Sequence, residues 1–246
     1  MAIDDRHRAD RRALQVTTWR GDQSIAVLNP APERTVPSPT AVAAEIGRLR
    51  AGGVRRVLTG ALHPAELGPF LDNGFAEHER LHLLRHDLAD LPSPPPASSM
   101  PPLRIRRASR RHRPAVLDID ARAFEPFWAL DRRGLDDAVR ATPTSRYRVG
   151  VARGEAIVGY AVTGRAADRG YLQRLAVDPD HHRRSVGRAL VGDALTWLRR
   201  SGARVAMVNT QERNAAALAL YLACGFVEEP AGLAVLSLEL APTGDS

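Results

Sequence analysis

A proline-dense stretch, LPSPPPASSMPP at positions 91–102, cannot be built into a helix or an inner strand, because proline has no N–H to give to either. It is expected to be a semi-rigid linker. The chain should therefore fold in two regions, 13–90 and 103–242, behind a disordered tail at 1–12. A length of 246 residues exceeds one average domain and fits two. Apolar residues make up 44%, enough to bury a core, yet no apolar run is long enough to span a bilayer. The first residues, MAIDDRHRADRR, are charged throughout and carry no secretory pattern, so a cytoplasmic location is expected. Cys224 is the sole cysteine, which excludes an intrachain disulfide and a cysteine-based metal cluster; no metal is expected.

Before the proline stretch, the pattern predicts strands near 14–19 and 24–28, a Pro-rich loop at 29–39 and a helix at about 40–50 stopped by Gly52-Gly53. A strand at 54–59, a helix at 64–72 and a strand ending near Leu88 follow. After it come a strand at 103–107, a helix at 112–124, a short helix near 135–141, and strands at 147–153, 156–164 and 170–177. A helix at 185–200, a strand at 204–208, a helix at 214–224 and strands at 226–229 and 233–240 complete the order. Strands and helices in this sequence make an α+β fold on a mixed, mostly antiparallel sheet flanked by helices.

The net charge of +7 and a pI near 10.7 call for an anionic partner: nucleic acid, a membrane surface or a phosphorylated small molecule. The densest run, RIRRASRRHR at 104–113, looks like a nucleic-acid patch, but Leu103 and Ile105 alternate as in a strand and an apolar helix follows. It reads as a solvated strand edge and helix start. Every one of the 35 basic residues is arginine, a uniformity that carries little functional information even though arginine suits phosphate.

Residues 171–189, YLQRLAVDPDHHRRSVGRA, read as a strand, a turn at Asp178-Pro179 and the start of a helix. A helix start leaves N–H groups unpaired and carries partial positive charge, which suits a phosphate oxygen. Arg174, Arg183, Arg184 and Arg188 lie on or near this turn, and Gly187 would let a ligand approach the backbone. The competing reading is a solvated basic loop. In NTQERNAAALALYLACGF, residues 209–226, Asn214, Ala217, Leu218 and Tyr221 share one helical face while Ala216, Leu220 and Ala223 share another, so the helix has two different neighbours. A tyrosine so placed is, by itself, most often a core residue.

Taken together, the two stretches resemble the GCN5-related N-acetyltransferases (GNAT). HRRSVG stands where that family has QxxGxG, with His182 at the Gln, Ser185 at the first Gly and Gly187 at the second. NxxAxxLYxxxGF is matched by Asn214, Ala217, Leu220, Tyr221, Gly225 and Phe226. The resemblance implies a GNAT fold over about 103–242 and acetyl-CoA as cosubstrate. It implies that the backbone of Arg183, Arg184, Ser185, Val186, Gly187 and Arg188 holds the pyrophosphate and that the strand at Leu175, Ala176 and Val177 holds the pantetheine arm. Asn214 would bond the pantetheine or a bridging water, and Tyr221 would give a proton to the departing thiolate. Ser185 is expected to bear strain that glycine would not, and His182 replaces an amide.

The acceptor would be a primary amine, on a small molecule or a protein N-terminus. Its base is not written in the sequence: the positions where some relatives carry glutamate hold Asn209 and Tyr171. Deprotonation through ordered water is expected, with Asp168 or Glu125 as candidate assistants, although both read more readily as ordinary surface charge. The segment AFEPFWALD, 123–131, should shape the acceptor entrance, and VLDIDARAFEPFW is similar to the ribosomal-protein-alanine N-acetyltransferases; core packing explains Phe124, Phe127 and Trp128 as well. Two other classes compete: a catalytically weak acyl-CoA-binding sensor or partner protein, and a basic nucleic-acid-binding module. Neither a membrane nor nucleic acid is expected as a partner.

The N-terminal region reads as a smaller, degenerate GNAT-like repeat. HPAELGPFLDNGF, 63–75, aligns without a gap on NAAALALYLACGF, 214–226, placing His63 on Asn214, Phe70 on Tyr221, Gly74 on Gly225 and Phe75 on Phe226. Phe70 has no proton to donate, and prolines occupy the loop equivalent to HRRSVGR. This region should bind no CoA and should pair with the catalytic domain, in a pseudo-symmetric monomer or a homodimer.

Overall fold

The computed structural model describes residues 13–31, 36–91, 103–152 and 154–240. The expected tail at 1–12 and all of the expected linker except Leu91 lie outside them. Contacts divide the chain into two compact units. No helix among the described residues is long and apolar enough to cross a membrane.

The first unit takes the chain up to Leu83, Gln211–Arg213 and the residues from Pro230 onward. Its strands are β1 (Leu14–Trp19), β2 (Asp22–Pro30), β3 (Arg56–Leu58) and most of β4 (Ala76–Asp87) and β10 (Val227–Glu239), in the order β1-β2-β3-β10-β4. β1 and β2 form an antiparallel hairpin, β2 and β3 run parallel, and β10 runs antiparallel to β3 with Leu238 opposite Val57. Helices α1 (Pro39–Ala51) and α2 (Pro64–Leu71) belong to this unit. Ser38 caps α1 by accepting from the Ala41 N–H at 3.1 Å. Val42 and Ile46 of α1 and Phe70 of α2 meet Leu28, Val57 and Leu236 in the core.

The second unit spans Leu84–Thr210 and Asn214–Glu229. After the end of β4 its strand order is β9 (Val205–Gln211), β8 (Arg169–Val177), β7 (Ile157–Ala166), β6 (Thr144–Val151), β5 (Arg104–Arg107). β8 and β9 pair in parallel, and β5 to β8 form an antiparallel meander. Helices α3 (Arg113–Ala123) and α4 (Arg132–Arg140) supply Val116, Ile119 and Leu135 to a core around Val149, Tyr160 and Val162. Helices α5 (Val186–Arg200) and α6 (Ala215–Ala223) supply Leu190, Leu198 and Tyr221 to a core around Val158, Leu172 and Ala206. The expected α+β class, a mixed and mostly antiparallel sheet flanked by helices, is what the chain adopts.

Two sequence expectations need correcting. The strands expected at 226–229 and 233–240 are one strand, β10, which passes Pro230 and continues because Gly232 adopts φ +57. A Cβ there would stand 2.8 Å from the Leu81 carbonyl oxygen, so only glycine fits this close backbone approach. The units also do not divide at 91–102. They divide inside β4 and inside β10, so each half of the sequence gives its last strand, in whole or part, to the other unit. The physical reason is pairing: β10 finds its antiparallel partner in β3, and Leu88 donates to the Arg204 carbonyl at 3.0 Å.

The helix–glycine–strand segments at 63–75 and 214–226 close with the same hydrogen bonds. Gly74 N–H reaches Leu71 O at 3.0 Å and Phe75 N–H reaches Phe70 O at 3.2 Å; Gly225 reaches Leu222 O at 3.0 Å and Phe226 reaches Tyr221 O at 3.1 Å. Both glycines are left-handed, at φ +83 and +88. Phe70 and Phe75 pack edge to face at 5.4 Å, and Tyr221 and Phe226 are tilted at 5.7 Å.

Candidate functional site

The site grows out of an interruption in the sheet. β8 pairs with β7 along its whole length, through Val177 opposite Gly159, but pairs with β9 only from Arg169 to Tyr171. Beyond Tyr171 the edge of β8 that faced β9 has no strand on it among the described residues. A cavity of about 520 Å³ lies there, lined by Leu175, Ala176 and Val177, by the turn after β8, by the first turn of α5 and by one face of α6.

The turn is shaped by two left-handed residues, Arg183 at φ +57 and Ser185 at φ +60. Each costs on the order of 1–2 kcal/mol relative to a residue in the right-handed region. The expected strain at Ser185 is therefore real, and Arg183 shares it. The Ser185 side chain does not cap α5, and the first helical bond runs from Ala189 N–H to Ser185 O at 3.0 Å. The N–H groups of Val186, Gly187 and Arg188 are left without an intrahelical acceptor at the positive end of the helix dipole. His182, at the position of the family glutamine, lies with Nε2 3.1 Å from Val177 O; when that nitrogen carries the proton, the bond ties the turn back to the end of β8.

Of the residues expected to hold the cosubstrate, Leu175, Ala176, Val177, Arg183, Ser185, Val186, Gly187, Arg188 and Asn214 all line this cavity, and so does Tyr221. Arg184 does not; it is exposed between the two left-handed residues. Arg174 is also removed from the basic turn. Its guanidinium lies 3.4 Å from the centre of the Phe124 ring and grips the buried Asp120, Nε to Oδ2 and Nη2 to Oδ1, each at 2.8 Å. The reason is position in the strand: Arg174 is anchored from α3 and the loop behind it, with Nη2 also donating to Trp128 O at 2.8 Å. Gly187 serves packing, since a Cβ there would meet Leu220 Cδ2 at 2.9 Å.

Asn214 caps α6, its Oδ1 accepting from Ala217 N–H at 3.0 Å, which leaves the amide NH₂ for any ligand. Tyr221 is 5% exposed, and its hydroxyl is pushed well above the usual tyrosine range, first by burial and next by the neighbouring Cys224. It stays protonated at neutral pH and so has a proton to donate. Burial also raises the Cys224 thiol, which makes it a poor nucleophile. Asp168 lies in the turn between β7 and β8, at the far end of β8 from Leu175, roughly 23 Å along the strand, too far to assist there. Glu125 is exposed on the loop after Phe124, and no carboxylate lines the cavity among the described residues. The loop 123–131 does reach the cavity, through Ala123 and Phe124. The Asp120–Arg174 anchor, between residues 54 apart, had no local signature in the sequence.

Residues 113–226 match the sequence model of the acetyltransferase (GNAT) family. That region is similar to the GNAT acetyltransferases. A 72-residue stretch is 36% identical to the [ribosomal protein bS18]-alanine N-acetyltransferase of Escherichia coli K12, covering 29% of this chain and 49% of that protein. The same relative from Salmonella typhimurium matches at 36% over 72 residues. The chain thus spans about half the length of the curated relatives it matches. Among solved structures, a GCN5-related N-acetyltransferase from Sphaerobacter thermophilus aligns with TM-score 0.63 at 17% identity over 95% of this chain and 78% of that one. A tandem GNAT protein from the clavulanic acid biosynthesis pathway aligns with TM-score 0.68 at 15% identity over 94% and 79%. At these identities both describe the fold.

Proposed function

We propose that this chain is an acetyl-CoA-dependent N-acetyltransferase that passes an acetyl group directly to a primary amine. The observation that carries the reading is the convergence, in one cavity, of the unpaired edge of β8, the uncapped start of α5 and the hydroxyl-bearing face of α6. These features fit the two parts of the cosubstrate. The free N–H groups of Val186 to Arg188, with the Arg183 and Arg188 guanidiniums, suit a pyrophosphate. The open edge from Leu175 to Val177 suits an amide-bearing arm laid down as an added strand. Acetyl-CoA, when bound, supplies an acetyl group activated as a thioester.

The chain's own groups then divide the work. An N–H of the open β8 edge donates to the carbonyl oxygen and stabilises charge that develops on it. Tyr221, kept protonated by burial, holds a proton for the leaving sulfur. The Asn214 amide steadies the arm or a bridging water. With no carboxylate against the cavity among the described residues, the amine loses its proton to water. The 36% identity to an alanine N-acetyltransferase favours a peptide N-terminus as the acceptor. The absent carboxylate equally favours a second reading, an acyl-CoA-binding protein with little turnover.

We further propose that residues 13–90 derive from a degenerate copy of the GNAT half. The matching caps at Gly74 and Gly225 and the fold shared with a tandem GNAT protein support this. Phe70 in place of Tyr221 leaves that copy without a proton donor.

A thermal-shift and turnover screen with acetyl-CoA, amines and N-terminal peptides tests the assignment. A ligand at 100 times its Kd should add about 2.7 kcal/mol of stability. Tyr221→Phe should lower kcat about 10²- to 10⁴-fold and leave cosubstrate binding largely intact. No melting shift at millimolar acetyl-CoA would sink the activity. A shift with no turnover on any amine would leave the binding protein.

A further inference from the structure

A second cavity, about 620 Å³, lies in the same unit against the other end of α5, between the start of β6 and the last turns of that helix. Along α5 it is roughly 16 Å from the turn described above, counting the rise from Val186 to Trp197. Four of its lining residues are arginines, Arg107, Arg146, Arg148 and Arg200, and one is a carboxylate, Asp193. The arrangement is electrostatically unbalanced. Arg107 on β5 stands directly opposite Arg148 on β6, a cross-strand pair of like charges that opposes pairing of these strands. Arg146, two residues along β6, takes Asp193 at 2.9 Å, so Arg148 is left with the same carboxylate only at 3.9 Å. The buried Nε of Arg148 has no hydrogen-bond partner among the described residues. Burial is the largest influence acting against the Arg146 charge; Asp193 opposes it, and Arg148 and Arg200 add to it.

Ordinary structural needs explain only part of this. Arg200 sits in the last turn of α5, where a cation complements the dipole. No such need places Arg107, Arg146 and Arg148 together over a single acid. Trp197 adds an aromatic wall, with the Arg146 guanidinium 5.9 Å from its ring centre. The volume is in the range of small-molecule sites, and guanidiniums converging on a hollow are suited to bidentate contact with a tetrahedral oxyanion.

We propose that this cavity between β6 and α5 is a phosphate-binding site, separate from the cosubstrate cleft, in which Arg107, Arg148 and Arg200 grip the phosphate group. The arginine run at 104–113, which the cleft leaves unused, thereby gains a role through its fourth residue. The phosphate can belong to a free phosphorylated metabolite or to the phosphodiester of a nucleic acid.

Trp197 gives a local readout. In the full-length Trp19→Phe/Trp128→Phe protein it is the only tryptophan, and binding in the cosubstrate cleft does not report on it directly. Its fluorescence would be titrated at low ionic strength with inorganic phosphate, uridine monophosphate and a short oligouridylate. A saturable change is expected, and Arg107→Gln/Arg200→Gln should weaken it about tenfold or more, since each lost contact is a charge-assisted hydrogen bond. Both arginines are exposed, so the double variant should fold; its melting temperature checks that. Equal midpoints for phosphate and the mononucleotide assign a free phosphate group, and a midpoint that tightens only with the oligonucleotide assigns a phosphodiester. No saturable response to any of the three, or a response that the folded double variant leaves unchanged, overturns the proposal.

Discussion

Asp120 is fully buried, and its carboxylate is held on every side: by Arg174, by the Tyr160 hydroxyl and by the Leu130 N–H at 2.5 Å. These partners come from β8, β7 and the loop after α3, so one side chain fixes the loop that carries Phe124 to the cavity. Removing one member of such a pair strands the other charge. Asp120→Ala should cost about 3–5 kcal/mol, read from the denaturant midpoint. If it costs under about 1 kcal/mol, the pair is not what holds the loop. Three tyrosines make a second test. Burial raises Tyr147 to about 12 and sets Tyr160 and Tyr221 well above the ordinary value of about 10. With folded values above the unfolded one, the native state holds more protons above pH 10. Stability from these residues is whole below about pH 10 and is lost as pH rises through 10 to 12. Absorbance at 295 nm should show these three ionising only as the fold melts in that window; their titration near pH 10 in folded protein would contradict their burial. The residue scale is also where the sequence was least legible. Tyr221 and Asn214 were visible because a helical period groups them. Nearness in sequence groups Arg174 with the turn, while its partner Asp120 is 54 residues away.

Elements were more legible, because period, proline and glycine act locally. The helices at 186–200 and 215–223 and the strand before them fall within a residue or two of the pattern's limits. What period could not convey is pairing. Nothing in β8 announces that β9 leaves it after Tyr171, and the merging of two short strands into β10 depends on Gly232 lying against Leu81. The turn between β8 and α5 combines both lessons, since a family pattern located it and its left-handed backbone explains the departure at Ser185. Ser185→Gly should relieve strain at a side chain that caps nothing. A gain of up to about 1 kcal/mol is expected, or about 2–4 °C in Tm for a chain of this size. A lower Tm would mean the hydroxyl has a role outside the turn. Acetyl-CoA should bind the variant at least as tightly, because the backbone donors remain.

For the whole molecule, the decisive feature is that the units are not the halves of the sequence. β10 pairs with β3, and Leu236 donates to the buried Thr59 hydroxyl at 2.8 Å. A fragment of residues 103–246 keeps the GNAT family region but strips β10 of that partner. It should melt well below the full chain or aggregate, and calorimetry on the full chain should find one CoA site. A fragment as stable as the parent would show the exchanged strand to be dispensable. The same feature bears on how the protein is made. Thr59 and Leu236 are separated by 177 residues. At about 5–20 residues per second, a ribosome needs on the order of 10–35 s after adding Thr59 before its bonding partner exists. For that interval β3 has an unsatisfied edge and the first unit cannot close. Slow codons placed between the two halves would lengthen this exposure, and the nascent chain would then lean on chaperones in proportion to the delay.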